Sequence, residues 1–355
     1  MREGFRRLCL AGTAIVVAVL VTLALPTAVR ADQADQTVQA DQAGQAVQAG
    51  QAVQAGQAVQ AGQAVPAVQA DQIRPAAAPS SGPFVALGDS FAAGDLIPSS
   101  PTGFPAGCLR SSHDYGADAA AALGVARFIN ATCTGATTSD MTQPQSVLLG
   151  TNPPQLSFLA ADDSVVTLTI GGDDIGFLGI LETCAQLSLT DLFGNPCQQR
   201  STAGGTDRLL AAISATAPKV AAVLQQIRVR APHARVLLAG YPDILPSTGD
   251  GCWPLVPFAF GDVPYLRGIE LAVNQMLAST AAANGVTFVD TYTATIGHDA
   301  CASPGVKDVE GLVPTSPAYP FHPNRVGQQV MAGQVLAALG RSRPLAGGQA
   351  HRTAK

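Results

Sequence analysis

From Phe84 onward, short, predominantly apolar and β-rich runs alternate with longer stretches whose apolar residues recur every three or four positions. Five runs stand out: Phe84 to Leu87, Arg127 to Ala131, Val165 to Ile170, Arg235 to Ala239 and Val286 to Val289. Continuous apolar runs of this length suit strands buried on both faces. Between them, Leu266, Ile269, Val273, Met276 and Leu277 share one helix face, and Leu209, Ile213, Val220, Leu224 and Ile227 mark another that is interrupted at Pro218. A further periodic stretch, Val326, Val330, Leu336 and Leu339, ends at Gly340, a helix-terminating glycine. Strands alternating with amphipathic helices predict an α/β fold, a three-layer α/β/α sandwich on a five-stranded parallel sheet.

The pattern before Phe84 is different. Residues 32–81 are dominated by Ala, Gln, Gly and Val, with Ala43-Gly44-Gln45-Ala46-Val47-Gln48 repeated from Ala49, Ala55 and, with Pro66 in place of Gln, Ala61. Such a segment lacks the large apolar groups that would offset roughly 1–2 kcal/mol of backbone entropy per ordered residue, so it reads as a disordered linker. Residues 1–31 read as a secretory signal peptide, with Arg2, Arg6 and Arg7 before an apolar stretch from Leu8 to Leu25 and Val29-Arg30-Ala31 at the cleavage point. An uncleaved N-terminal membrane anchor is the alternative. The folded domain is expected over residues 82–342 and a flexible tail over 343–355.

Removing residues 1–31 takes away four arginines and one glutamate, so the formal charge moves from -5 to -8. An acidic surface with no basic stripe argues against nucleic-acid binding and suits a secreted, monomeric protein without a stable membrane span. Six cysteines remain: Cys108, Cys133, Cys184, Cys197, Cys252 and Cys301. In an exported chain an even number reads as disulfides. Several connectivities are open, and pairing in sequence order is favoured because each bridge would tie down an excursion between core elements. No cysteine or histidine spacing supports a metal site, and no cofactor motif is present.

The strand ends carry the chemistry. In a flavodoxin-like sheet, ligands bind beyond the carboxyl ends of the strands, near the switch point between the first and third. Gly88-Asp89-Ser90 closes the first run, Cys133-Thr134-Gly135-Ala136 follows the second, and Gly171-Gly172-Asp173-Asp174 follows the third. His322-Pro323-Asn324 lies beyond the fifth. A serine at a strand-to-helix turn needs a neighbouring base to become a nucleophile. His322 fits, because Pro323 suits a first helical position and the dipole at a helix N-terminus keeps an imidazole neutral. Glycine at 135 lets backbone approach a substrate oxygen and donate an amide.

Those ordered blocks resemble the SGNH (GDSL) hydrolases, specifically the secreted actinobacterial esterases and lipases with three disulfides, over roughly residues 82 to 340. Cys108-Leu109-Arg110-Ser111, Gly240-Tyr241-Pro242 and His298-Asp299-Ala300-Cys301 also look like this branch. The resemblance implies a cofactor-independent serine ester hydrolase, with catalytic Ser90 and His322, an oxyanion hole from Ser90, Gly135 and Asp173, and bridges 108–133, 184–197 and 252–301. Carboxylesterase or lipase action on an ester or lipid substrate leads. Phospholipase A and carbohydrate deacetylase are variants of it, and a non-catalytic glycan- or lipid-binding protein is the alternative.

Two departures from the family pattern matter. Tyr319 stands where many relatives carry an aspartate three residues before the histidine. A dyad is therefore expected, with the backbone carbonyl of Tyr319 or Pro320 orienting the ring, and Asp308 or Glu310 as the alternative third member. Asp173 stands where the family has an asparagine whose amide donates to the oxyanion. An ionised carboxylate there would repel the oxyanion, whereas a protonated one, its pKa raised by Asp174 and a dry cleft, would donate.

Overall fold

A computed structural model describes residues 82–340. The proposed signal peptide, repeat linker and C-terminal tail lie outside the described residues.

All five apolar runs are strands of one sheet. β1 (Phe84–Gly88) pairs in parallel with β2 (Phe128–Asn130) on one side and β5 (Val165–Thr169) on the other, and β6 (Arg235–Ala239) and β7 (Thr287–Val289) extend the sheet in the order β2-β1-β5-β6-β7. Every residue of β1 and β5 is buried, which is why neither strand carries a charge and the only polar side chains in them are the buried Thr167 and Thr169. The pleat still divides them. Val85, Leu87, Val166, Leu168 and Leu238 pack in one cluster with α5 (Arg208–Arg230) and α6 (Asp262–Ala283). Phe84, Val165, Leu237, Ala239 and Val289 pack in a second with α2 (Tyr115–Leu123) and α8 (Arg325–Ala338). Two cores on opposite faces of one sheet make the three-layer sandwich. Gly116 lets α2 close on β1, since a Cβ there would lie 2.9 Å from that of Ala86.

The interruption expected at Pro218 does not occur. α5 runs through it for 23 residues, capped by the Asp207 side chain, with Leu209, Ile213, Val220, Leu224 and Ile227 buried along one stripe. Burial of that stripe outweighs the lost amide and steric cost of an interior proline, about 3 kcal/mol. One hairpin is not foreshadowed by the sequence, and the helix expected at the serine turn is short. β3 (Gln145–Val147) and β4 (Gly150–Asn152) form an antiparallel hairpin outside the main sheet, and the short α1 (Ser90–Ala93) begins on the candidate nucleophile.

The six cysteines pair in sequence order, Cys108–Cys133, Cys184–Cys197 and Cys252–Cys301. The first bridge fastens the loop after α1 to the segment leaving β2. The second joins α3 (Phe177–Ser188) to α4 (Pro196–Thr202).

Candidate active site

β1 has neighbours on both sides and its C-terminal end is the switch point of the sheet, where the first crossover goes to β2 and a later one to β5. The chain turns there on Gly88, at φ +136°, where a Cβ would lie 2.3 Å from the carbonyl oxygen of Thr169. Gln155 clamps this glycine from the side, accepting from its amide at 2.7 Å and donating to its carbonyl at 2.9 Å. Asp89 then caps α1 by accepting from the Phe91 amide at 3.0 Å, and Ser90 emerges as the first helical residue.

The structure brings Ser90 and His322 together across 232 residues of chain, with Ser90 Oγ 2.7 Å from His322 Nε2. On the other side of the ring, Nδ1 lies 2.8 Å from the carbonyl oxygen of Pro320. A carbonyl only accepts, so the proton sits on Nδ1 and the Nε2 lone pair faces the serine hydroxyl. Of the two carbonyls expected to hold the ring, that of Tyr319 instead accepts from the His322 amide at 3.1 Å. Phe321, between Pro320 and His322, has φ +61°, a left-handed conformation that folds the Pro320 carbonyl back onto the side chain two residues later. The alternative acid Glu310 is engaged elsewhere, accepting from Asn324 at 2.8 Å and from Thr315 at 2.7 Å and 3.0 Å. Asp308 receives the Asn324 amide on its main-chain carbonyl at 2.9 Å.

The sequence predicts Pro323 at the first helical position and a helix dipole that keeps His322 neutral. Instead α8 starts at Arg325, and Asn324 caps it by accepting from the Val326 and Gly327 amides. The ring is kept neutral by burial, which lowers its pKa to about 4 against the opposing pull of the Pro320 carbonyl. The Phe91 ring lies against the imidazole at 4.5 Å between centroids and the Tyr319 ring meets it edge-on at 5.3 Å, which accounts for that burial.

Gly135 turns at φ +70° two residues beyond Cys133, in a loop held by Gln145, which donates to the Thr134 carbonyl at 2.8 Å. Across the site, the loop after β5 carries the two aspartates into different surroundings. Asp174 accepts from the Thr138 amide and hydroxyl at 2.8 Å and 2.6 Å, with the Lys219 ammonium at 3.6 Å. Asp173 has no hydrogen-bond donor on its carboxylate among the described residues. Burial, then the charges of Asp174 and Asp140, push its pKa up to about 6.

Three residues of the site escaped sequence reasoning. Tyr241 donates from its hydroxyl to Asp89 at 2.6 Å and accepts from the Gly172 amide at 2.7 Å. Its only signal was membership of the block after β6. Phe91 and Gln155 gave none, since a phenylalanine or glutamine reveals its partner only in three dimensions. Beside these groups lies an apolar cavity with about 60 Å³ of free room, lined by Phe91, Gly172, Ile175, Tyr241, Leu266 and Ile269 among others. Among the described residues no three His, Cys, Asp or Glu side chains converge in a metal-binding cluster.

The chain is similar to several known proteins. Lipase 2 of Streptomyces coelicolor is 38% identical over 270 residues, covering 75% of this chain and 88% of that protein. Crystal structures of phospholipase A1 from Streptomyces albidoflavus NA297 and of an extracellular lipase from Streptomyces rimosus superpose with TM-scores of 0.58 and 0.59. They are 28% and 27% identical, and each match covers 73% of this chain and 98% of the other. A family model matches residues 86–330, and on this evidence the chain belongs to the GDSL-like lipase/acylhydrolase family.

Proposed function

We propose that this lipase/esterase works through a Ser90–His322 dyad and an acyl-enzyme, and acts outside the cell. The Ser90 hydroxyl attacks the ester carbonyl carbon while His322 Nε2 takes its proton. The tetrahedral oxyanion lies against the amides of Ser90 and Gly135 and the carboxylic acid of Asp173. On collapse the imidazolium returns the proton to the departing alkoxide. Water then repeats the sequence, with His322 as base, and releases the acid and free Ser90.

The observation that carries this reading is the 2.7 Å approach of Ser90 Oγ to an imidazole whose other nitrogen is committed to a carbonyl. The apolar cavity beside Phe91 suits the acyl side of the ester. Export is supported by the arginine-led apolar N-terminus and the three bridges. An N-terminus at Asp32 in protein recovered from culture medium would bear it out, whereas retention in the cell with residues 1–31 attached would reject it.

Non-catalytic binding of a glycan or lipid is favoured by Asp173 alone. Turnover of a short nitrophenyl ester separates the two readings. Purified protein is expected to hydrolyse it and to be labelled by a fluorophosphonate at Ser90, and Ser90→Ala to lose both. Absence of turnover in the wild type, or labelling of Ser90→Ala at another serine, would overturn the dyad.

A further inference from the structure

Tyr241 sits where the nucleophile turn, the Gly171–Asp174 loop and the histidine's packing partner meet. Its hydroxyl has a single proton, which it gives to Asp89 Oδ2 at 2.6 Å, so the Gly172 amide, 2.7 Å away, must be the donor into it. The other oxygen of Asp89 accepts from Phe91 at 3.0 Å. A continuous chain of hydrogen bonds thus runs from Gly172 N–H through the Tyr241 hydroxyl and the Asp89 carboxylate to Phe91 N–H. It joins the residue before Asp173 to the residues on either side of Ser90. The Tyr241 ring also meets Phe91 edge-on at 4.9 Å, and Phe91 is the ring that lies against His322. Main-chain bonds hold Tyr241 itself: its amide donates to Asn274 at 2.8 Å, and the Asn274 amide group donates back to its carbonyl at 3.1 Å.

Gly172 is fitted to this arrangement. A Cβ at 172 would lie 2.9 Å from the Tyr241 hydroxyl oxygen and 3.1 Å from the ring carbon that bears it. Both partners of the hydroxyl are buried, so water does not replace it at low cost when it is removed.

We propose that Tyr241 is a positioning residue for ester hydrolysis, its hydroxyl setting the separation between the Ser90 turn and the loop that presents Asp173 to the oxyanion. The inference rests on the Ser90–His322 reading above. It does not require Tyr241 to touch substrate. Its role is to hold two elements that must stay in register to within a fraction of an ångström, because an error of about 1 Å costs on the order of 100-fold in rate.

The test uses Tyr241→Phe, which keeps the ring and its contact with Phe91 but removes the relay. Active sites are counted by stoichiometric fluorophosphonate labelling, and kcat per labelled site and KM are measured on a nitrophenyl ester. We expect kcat per site to fall about 10- to 100-fold with KM within about twofold of wild type. Gly172→Ala displaces the same hydroxyl from the opposite side and is expected to reproduce that loss, which keeps the idea open to refutation should Tyr241→Phe fold poorly. Wild-type kcat per labelled site in either folded variant would overturn the proposal and reduce Tyr241 to a stability role. Failure of the underlying dyad would look different, since the wild-type enzyme itself would then resist labelling at Ser90.

Discussion

Replacing Asp173 by asparagine asks whether a carboxylic acid serves where the family has an amide. With its pKa near 6, Asp173 is protonated in about 90% of molecules at pH 5, about 10% at pH 7 and about 1% at pH 8. If only the acid form stabilises the oxyanion, the competent fraction is full below pH 6 and declines tenfold per pH unit above it. His322 must be neutral, so activity also falls below pH 4. The wild-type kcat/KM profile should therefore be a bell with limbs near 4 and 6. Asparagine donates at every pH, so Asp173→Asn should leave the acid limb in place and remove the alkaline one. The gain is about 1.1-fold at pH 5, about 10-fold at pH 7 and about 100-fold at pH 8. It is bounded by the roughly 100- to 1,000-fold that one oxyanion donor is worth. The assay is hydrolysis of a short nitrophenyl ester from pH 4 to 8.5, corrected for spontaneous hydrolysis. Unchanged or lower activity of Asp173→Asn at pH 8 would refute the argument and remove this side chain from the oxyanion hole.

Other consequences concern stability and selectivity. Burial raises the pKa of Asp95 and Glu270 well above the carboxylate range and that of Asp114 to about 8. A raised folded-state pKa means that the native protein holds protons the unfolded chain has released, so stability is lost as pH rises from about 4 through these values. Tm should be higher at pH 5.5 than at pH 8.5, and the opposite order in a thermal scan would contradict it. Ile269→Ala, in the wall of the apolar cavity, should cost about 2–4 kcal/mol in urea unfolding while moving the preferred acyl chain to greater length. An unaltered chain-length profile across nitrophenyl esters would detach this cavity from acyl recognition.

Much of the fold is legible because burial on both faces leaves its mark directly in composition, as in Val165–Thr169. The β3–β4 hairpin has three-residue strands that bury little, so no periodicity announces it. Pro218 misleads because local propensity is blind to the packing that overrides it. Ser90, Gly135 and His322 are readable as motif residues at strand ends and helix starts. What makes His322 neutral is not fully readable, because the dipole argument uses neighbours in sequence while the ring packed against the imidazole belongs to Phe91, 231 positions away. Tyr241 illustrates the same limit, since its hydroxyl serves a carboxylate 152 residues distant.

The orienting group for His322 belongs to the main chain, at Pro320, and this alters what mutagenesis can reveal. In a triad, replacing one acid exposes the third partner. Here any residue at position 320 presents the same oxygen, so scanning side chains across this loop passes over the group that fixes the tautomer. The sensitive point is the neighbouring torsion at Phe321, where the left-handed backbone decides whether that oxygen faces the ring. Inherited or engineered loss of activity in this loop should therefore follow changes that reset its backbone conformation, such as insertions, deletions or a proline at 321, more closely than changes of side-chain chemistry at 320.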